Sequence, residues 1–223
     1  MVTKLFLTFN MKTFLTYILS FVAFSQSFAQ PVEEGDFRAS DLVELIKLES
    51  NFVLDIRYAT TNNFVGKVVY PEARAFLQRP AAQALVEVNK ELEPLGYRLL
   101  IFDGYRPWSI TKVFWDITPT DKKIFVANPE DGSRHNRGCA IDLSLYDIAT
   151  GKEVQMTGEY DEMTERSYPD YTGGTQAQRA TRDLLRSKME AHGFTVYKFE
   201  WWHFDYTDWQ SYRIENIQFN EIN

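Results

Sequence analysis

Residues 133–142 read Ser-Arg-His-Asn-Arg-Gly-Cys-Ala-Ile-Asp, and Leu-Ser-Leu follows at 143–145. The polar first half of this stretch is typical of a loop, whereas Cys139 to Leu145 is apolar enough for a central strand of a sheet. We therefore expect Asp142 to project from that strand. We expect His135 to reach the same place from the loop that precedes it.

A second histidine follows an acid at Glu200-Trp201-Trp202-His203. Either pair alone is a weak indication, because a histidine near a carboxylate usually marks a surface ion pair or a satisfied core histidine. Together the two pairs supply two imidazoles and one carboxylate for a metal, and they leave one acid over. Three protein ligands with an open fourth position are the pattern of a catalytic zinc site. A structural zinc site would use four ligands, usually with several cysteines, and the chain has one cysteine, Cys139.

The spacing of Glu200 and His203 makes a structural demand. The helical zinc motif H-E-x-x-H is absent, and the candidate ligands fall on β-like segments instead. In an ideal strand, residues three apart point to opposite faces, so these two side chains share a site only if the strand bends or bulges between them. We predict such an irregularity at Trp201 and Trp202. Glu200 can then take a proton from water, whose pKa zinc lowers to about 7.

Composition limits the classes of partner. The chain has 223 residues, of which 44% are hydrophobic and 15% aromatic, and its formal net charge is −7. A chain of this size can form one domain with a sizeable core. The acidic balance argues against nucleic acid and anionic membranes as partners, since both require clustered Lys and Arg. A small molecule in a locally compensated pocket stays open as the ligand, and the oligomeric state is left undetermined.

The N-terminus is typical of an export signal. A basic start precedes an apolar run from Phe14 to Phe24, and Ser27 and Ala29 place small residues where a signal peptidase cleaves. We therefore predict a signal peptide over residues 1–29 and one catalytic domain over residues 30–223. The mature protein would be periplasmic, with no stable membrane association. The alternative is an uncleaved anchor, but the apolar run is short and rich in Ser and Thr.

The remaining pattern predicts an α+β domain. Strands and helices do not alternate as regular βαβ units, which favours a mainly antiparallel sheet with packed helices. Helices are predicted from Ser40 through Leu48, from Pro80 to Gly96, over 108–117 and over 176–192, where His192 is a helix-end residue. Strands are predicted over 52–58, 97–102, 139–145 and 194–206.

Several of these segments resemble one enzyme family. Ser133 to Asp142 is similar to the S-x-H-x-x-G-x-A-x-D motif of the D-alanyl-D-alanine dipeptidases, which include the vancomycin-resistance dipeptidase. Glu200 to His203 is similar to the E-x-W-H motif of that family. Segments at 55–60, 63–66 and 103–107 resemble further family segments in the same order. The family is related to the zinc D,D-carboxypeptidases and the Hedgehog signalling domain, so the resemblance implies a fold of that type.

The resemblance also implies roles for individual residues. It makes three of them ligands of one zinc ion per chain and a fourth the general base, namely His135, Asp142, His203 and Glu200. Arg106 matches an arginine near the scissile carbonyl, where its cation would stabilise the developing oxyanion. A simpler interpretation of Arg106 is a salt bridge to Asp103 that fixes the turn after a strand.

Two further residues match substrate contacts of the family. Ser133 matches a residue near the substrate carboxylate, and Asp161 matches one that pairs with the substrate ammonium. Both have plain alternatives, a turn-forming serine and a solvated surface acid. The match at Asp161 is imperfect, because Thr157-Gly158-Glu159 departs from the family pattern just before it.

The implied reaction is zinc-dependent hydrolysis of the D-Ala-D-Ala dipeptide to two D-alanines in the turnover of peptidoglycan peptides. A free dipeptide carries an ammonium at one end and a carboxylate at the other, so a pocket with charged ends would select its length. One alternative is a zinc D,D- or L,D-carboxypeptidase that acts on longer cell-wall peptides. The other is a non-catalytic zinc-bound binding module, against which the presence of Glu200 and Arg106 speaks.

Overall fold

The computed structural model describes residues 29–222, within which it contains eight strands and four α-helices. The strands are β1 (Leu42–Glu44), β2 (Val53–Leu54), β3 (Phe76–Gln78), β4 (Tyr97–Asp103), β5 (Ala140–Asp147), β6 (Lys152–Glu153), β7 (Phe194–Tyr197) and β8 (Glu200–Tyr206). The α-helices are α1 (Leu45–Leu48), α2 (Arg79–Leu92), α3 (Trp108–Ile117) and α4 (Gln176–Ala191).

Six of the strands form one sheet with β5 in the middle. Their order is β2-β4-β5-β8-β7, and β6 also pairs with β5. The β2–β4 pair is parallel, and the other pairs of this sheet are antiparallel. A second, two-stranded antiparallel sheet consists of β1 and β3. The prediction of an α+β domain with a mainly antiparallel sheet and a central strand near 139–145 is confirmed.

The two longest helices pack together against the central sheet. α2 contacts β4 and α4, while α4 contacts β7 and β8. Ile141 and Leu143 of β5 are fully buried and share one hydrophobic core with Leu85 of α2 and Leu185 of α4. Because side chains alternate along a strand, Asp142 points to the opposite face of the sheet. The core thus leaves one face of β5 for polar side chains.

Local chemistry accounts for the helix ends that the sequence predicted. Pro80 stands in the first turn of α2, and the 3-10 turn that follows this helix ends at Gly96, whose φ of +89° is left-handed. α4 begins with a capping box between Thr175 and Gln178. His192 is the C-cap residue of α4, in agreement with the role expected of it. α3 has the predicted bounds.

Two predicted elements near the N-terminus are wrong. The expected helix over 40–48 is strand β1 followed by the single turn α1, because residues 42–44 pair with β3. The expected strand over 52–58 is reduced to β2, because only Val53 and Leu54 pair with β4. Both segments take their structure from partners that are distant in the sequence.

The predicted continuous strand over 194–206 is also wrong. It is a hairpin of β7 and β8 that turns at Lys198 and Phe199. No glycine or proline marks this turn, and aromatic residues continue through it, so the sequence carries none of the usual signals for a break.

The irregularity predicted between Glu200 and His203 is confirmed. The register of β7 against β8 shifts between Val196 and Tyr197, where β8 advances four residues against one in β7. Trp201 turns into the core, with 1% of its surface exposed, while Glu200 and His203 face the same cavity. The bulge therefore places two residues that are three apart on one side of the strand.

Most of the predicted signal peptide, residues 1–28, lies outside the described residues, so the division at residue 29 stays a prediction. Within residues 29–222, the structure has no helix whose length and apolar character would allow it to span a membrane.

The turn that leads into β5 depends on Gly138. Its φ of +66° lies in the left-handed region that favours glycine. A Cβ at this position would lie 2.5 Å from Cδ2 of Leu42 and 3.3 Å from the backbone nitrogen of Gln78. Since Gly138 directly follows the turn that contains His135, it fixes how this histidine enters the site.

We predict that Gly138→Ala lowers the free energy of unfolding by about 2–4 kcal/mol, because left-handed backbone and overpacking both oppose a side chain there. Gly96→Ala is the matched control, since Gly96 is also left-handed but has no atom within 4 Å of the added Cβ. Gly96→Ala should lose only the part of the free energy of unfolding that comes from the left-handed backbone. Urea unfolding measures both variants, and an equal loss in the two would contradict the steric role of Leu42.

Candidate active site

Three buried side chains bring a nitrogen or oxygen atom to one place. Asp142 of β5 stands directly opposite His203 of β8, and His135 comes from the 3-10 turn before β5. Nδ1 of His203 lies 3.0 Å from Oδ1 of Asp142 and 3.1 Å from Nε2 of His135. Nε2 of His135 lies 3.4 Å from the same carboxylate oxygen. The three residues predicted as ligands therefore come together in the folded chain.

Each imidazole has an inner nitrogen, which faces the other two candidate ligands, and an outer nitrogen, which points away from them. The outer nitrogen faces an oxygen that can only accept a hydrogen bond. His135 Nδ1 donates to the carbonyl oxygen of Gly104 over 2.7 Å, and His203 Nε2 donates to Oδ1 of Asp205 over 3.0 Å. In the neutral ring, the inner nitrogen then carries a lone pair. Two lone pairs and a carboxylate oxygen thus converge, which a cation stabilises. Imidazole and carboxylate ligands with such outer partners fit zinc.

The pKa shifts of the candidate ligands support the same conclusion. Burial lowers the pKa of His203, but Asp205 and Asp142 outweigh it and raise this pKa well above its usual value. The pKa of Asp142 is held below its usual range against the effect of burial, because His135 and His203 lie beside it. A positive charge is therefore favourable at this position, and a metal cation would supply one.

Glu200 lies beside these three groups. Its Oε2 is 3.8 Å from Nδ1 of His203, and 9% of the residue is exposed. Burial raises its pKa to about 8, and the negative charges of Asp142 and Asp161 act in the same direction. A bound cation would favour the ionised carboxylate and lower this pKa. A carboxyl group that gains and loses a proton near neutral pH is suited to proton transfer.

Arg106 reaches the same centre from the side of Asp142. Its Nη2 and Nε lie 2.7 and 3.0 Å from Oδ2 of Asp103, and Nη2 is 3.8 Å from Oδ2 of Asp142. Tyr70 donates a hydrogen bond of 2.7 Å to the other oxygen of Asp103. A register shift in β4 after Ile101 places Asp103 opposite Asp142. The salt bridge considered from the sequence exists, and it holds the guanidinium next to the candidate ligands.

Asp161 is not a solvated surface acid. It has a φ of +60°, and its carboxylate accepts hydrogen bonds from Tyr58 OH at 3.0 and 3.2 Å. Burial raises its pKa to about 8, and the charge of Asp142 adds to the effect. A partly buried acid with one hydroxyl partner retains the capacity to bind a cation.

Ser133 has local contacts of a turn residue. Its Oγ accepts a hydrogen bond from the backbone N–H of His135 at 3.2 Å, and its own N–H donates to Asn136 Oδ1 at 2.8 Å. The serine thus helps to shape the turn that carries a candidate ligand. Ser133 also lines the cavity. Its contact with substrate stays a prediction.

A cavity of about 320 Å³ opens over the centre, within the range of roughly 300–1,000 Å³ typical of small-molecule sites. Aromatic side chains, among them Phe64, Phe114 and Trp202, form much of its wall. All seven residues singled out from the sequence line it, namely Arg106, Ser133, His135, Asp142, Asp161, Glu200 and His203.

The structure adds residues that the sequence analysis missed. Tyr160 donates a hydrogen bond of 3.0 Å to Oδ2 of Asp142, and Asp205 accepts from His203. Asp205 follows His203 by two residues in a strand, so strand periodicity could have placed both on one face. No comparable signal marked Tyr160, because the segment that contains it has no regular secondary structure.

Comparison with known proteins gives the family. The family model described as D-ala-D-ala dipeptidase, peptidase family M15, matches residues 38–222. The chain belongs to this peptidase family. A D-alanyl-D-alanine dipeptidase of Enterococcus faecalis is 39% identical over 172 residues, covering 69% of this chain and 85% of that protein. One from Escherichia coli is 33% identical over 181 residues, covering 81% and 92%.

The solved structure of the vancomycin-resistance D,D-dipeptidase VanXYg, in complex with a D-Ala-D-Ala phosphinate analogue, is a more distant match. It is 20% identical, with a TM-score of 0.40, and the match covers 76% of this chain and 68% of that one. At this distance the likeness carries no argument about the site. The wider relation to the Hedgehog domain stays a prediction.

Asp161 gives a testable dependence of stability on pH. Its pKa is about 8 in the folded chain, whereas an unfolded Asp ionises near about 3.9. Between these values the folded state binds more protons. The contribution of this group to stability is therefore full below about pH 4 and is lost as the pH rises toward about 8.

We predict that Asp161→Asn becomes more stable relative to the wild type as the pH rises from about 5 to about 8. Melting temperatures of the two proteins, measured in the presence of a chelator, test this. The other titrating groups are common to both proteins, so the comparison measures Asp161 together with its effect on the pKa of Glu200, which acts in the same direction. A difference in melting temperature that stays constant over this range would contradict the raised pKa.

Proposed function

We propose that the protein is a zinc-dependent dipeptidase that hydrolyses D-Ala-D-Ala to two D-alanines. The observation that carries this proposal is the convergence of His135, Asp142 and His203 in a cavity that Glu200 and Arg106 also line. Membership of the D-Ala-D-Ala dipeptidase family supports the substrate, and the three-ligand set supports one zinc ion per chain.

Zinc bound by these three ligands would polarise the scissile carbonyl and lower the pKa of the attacking water. Glu200 takes a proton from that water as the oxygen of the water bonds to the carbonyl carbon. It then passes the proton to the leaving nitrogen as the C–N bond breaks. Arg106, aligned by Asp103, offers a fixed cation to the oxyanion that develops. Each of these groups lies at the edge of the same small space.

Asp161 is proposed to bind the ammonium group of the dipeptide. Its carboxylate is held by Tyr58 and lines the cavity on the side of Asp142, to which the neighbouring Tyr160 donates a hydrogen bond. A substrate ammonium would compensate this partly buried charge, whereas an acylated nitrogen would leave it without a cationic partner. Ser133 is proposed to lie near the other end of the substrate.

The two alternatives differ in what they require of the cavity. A carboxypeptidase for longer peptides needs an open path beyond the amino end of the scissile residue pair, where Asp161 and Tyr58 stand. A non-catalytic binding module needs the ligands but has no use for Glu200 beside them. The described contacts favour the dipeptidase over both.

We further propose that the enzyme is exported to the periplasm and acts on dipeptides from peptidoglycan turnover. The basis is the signal-like sequence of residues 1–29. N-terminal sequencing of the mature protein checks this, and a mature chain that retains these residues in the cytoplasm would contradict it.

We predict that Glu200→Gln lowers kcat for D-Ala-D-Ala by about 10²- to 10⁴-fold, because the amide cannot carry the proton. Zinc content should be unchanged, since Glu200 is not one of the ligands. Release of D-alanine and metal analysis measure the two effects.

Glu162→Gln is the matched control. Glu162 lines the same cavity, but its carboxylate bonds to Thr164 and to the backbone of Glu159, so activity should persist. Full activity of Glu200→Gln would refute its role as the base.

A substrate panel separates the three functions. We predict that kcat/KM for D-Ala-D-Ala exceeds that for N-acetyl-D-Ala-D-Ala and for a D-Ala-D-Ala-terminated pentapeptide by about tenfold to hundredfold, since these leave Asp161 unpaired. A chelator should abolish turnover and zinc should restore it. Faster turnover of the blocked or longer substrates would favour the carboxypeptidase. No turnover of any substrate with zinc bound would favour the binding module.

A further inference from the structure

The cavity contains three arginines, and two of them are committed to other groups. Arg106 uses Nε and Nη2 on the carboxylate of Asp103. Arg137 donates to the carbonyl oxygen of Tyr212 and to the carboxylate of Glu33. The contacts of Arg137 join the turn to the segments around Glu33 and Tyr212. The third arginine is the one with the most donors left for a ligand.

Arg134 is that third arginine. Its Nη1 lies 3.0 Å from Oδ2 of Asp205, and its Nε has no hydrogen-bond partner among residues 29–222. The guanidinium stacks 4.7 Å from the centre of the Trp209 ring, and 38% of the side chain is exposed. A guanidinium has five N–H donors, and stacking fixes the plane in which they point. Nε is itself shielded from solvent, so the Nη groups of Arg134 are the donors that remain available to a ligand in the cavity.

The contacts of Arg134 show which of the candidate metal ligands it lies next to. The carboxylate that pairs with Arg134 also accepts a hydrogen bond from the outer nitrogen of His203. Arg134 thus lies on the His203 side of the centre. Asp161 accepts a hydrogen bond from Tyr58, and the adjacent Tyr160 donates to Asp142. The acid at Asp161 and the cation at Arg134 thus line one cavity, each near a different candidate ligand.

We propose that Arg134 binds the free C-terminal carboxylate of the dipeptide and so restricts hydrolysis to substrates in which a single residue with a free carboxylate follows the scissile bond. This inference rests on the proposed function. A dipeptide whose ammonium pairs with Asp161 directs its carboxylate toward the His203 side. Ser133 supplies no charge there, and its hydroxyl already accepts a hydrogen bond from His135. A guanidinium forms strong, charge-assisted hydrogen bonds with a carboxylate, which an amide or a longer chain would lose.

A purely structural role of Arg134 makes a different prediction. If the arginine only held Asp205 against His203, its loss would weaken zinc binding and slow all substrates alike. Binding of the substrate carboxylate affects only substrates that have one. Comparing D-Ala-D-Ala with D-Ala-D-alaninamide therefore separates the two roles, and a zinc dissociation constant from chelator competition gives a readout that does not depend on activity.

We expect the wild type to favour D-Ala-D-Ala over the amide by about tenfold to hundredfold in kcat/KM. Arg134→Gln should lose a similar factor with the acid, mainly through KM, and almost none with the amide. Arg134→Lys should be intermediate, because it keeps the charge without the planar fork. Zinc affinity should stay near that of the wild type. The matched control is Arg38→Gln, since Arg38 pairs with Asp208 and stacks on Tyr212 outside the cavity.

Three results would overturn the inference. Equal kcat/KM of the wild type with acid and amide would do so without any variant. An equal loss with both substrates in Arg134→Gln, accompanied by weaker zinc binding, would assign Arg134 to the support of His203. Failure of the zinc-loaded wild type to hydrolyse D-Ala-D-Ala would overturn the proposed function, and this inference with it.

Discussion

The site depends on the register that places Asp142 of β5 opposite His203 of β8. Directly opposed residues of an antiparallel pair have Cβ atoms about 4.5–5.5 Å apart on one face, so the sheet itself sets the distance between these two candidate ligands. A slip of one residue would turn Asp142 into the core. The packing of Ile141 and Leu143 against the helices prevents that slip, and the hydrophobic core thereby fixes the geometry of a polar site.

Two breaks in the sheet supply what regular pairing cannot. The bulge in β8 turns Glu200 to the side of His203, and the register shift in β4 places Asp103 opposite Asp142, where it holds Arg106. Asp142 and His203 stand where the β5–β8 ladder is regular, which keeps their spacing constant, whereas His135 comes from the turn before β5. The base and the arginine stand where it is broken, since they must approach the same space from other directions.

The sequence predicts the site better than it predicts the elements around it. Histidines and spaced acids are few and chemically distinctive, and the conflict between strand periodicity and the spacing of Glu200 and His203 was enough to predict the bulge. The hairpin turn at Lys198 has no such signal, and β1 exists only because β3 pairs with it. Strand pairing depends on partners far away in the chain, which local patterns do not reveal.

The electrostatics of the cavity connect folding with function. Burial raises the pKa of Asp103, Asp161 and Glu200, so these carboxyl groups resist ionisation. Each cation that enters relieves part of this resistance: a metal ion favours the carboxylate form of Glu200, and a substrate ammonium favours that of Asp161. The carboxyl groups whose ionisation is unfavourable are thus the ones that a bound cation would stabilise. Because the proposed base becomes a carboxylate when the metal binds, occupation of the metal site would itself prepare Glu200 to accept a proton.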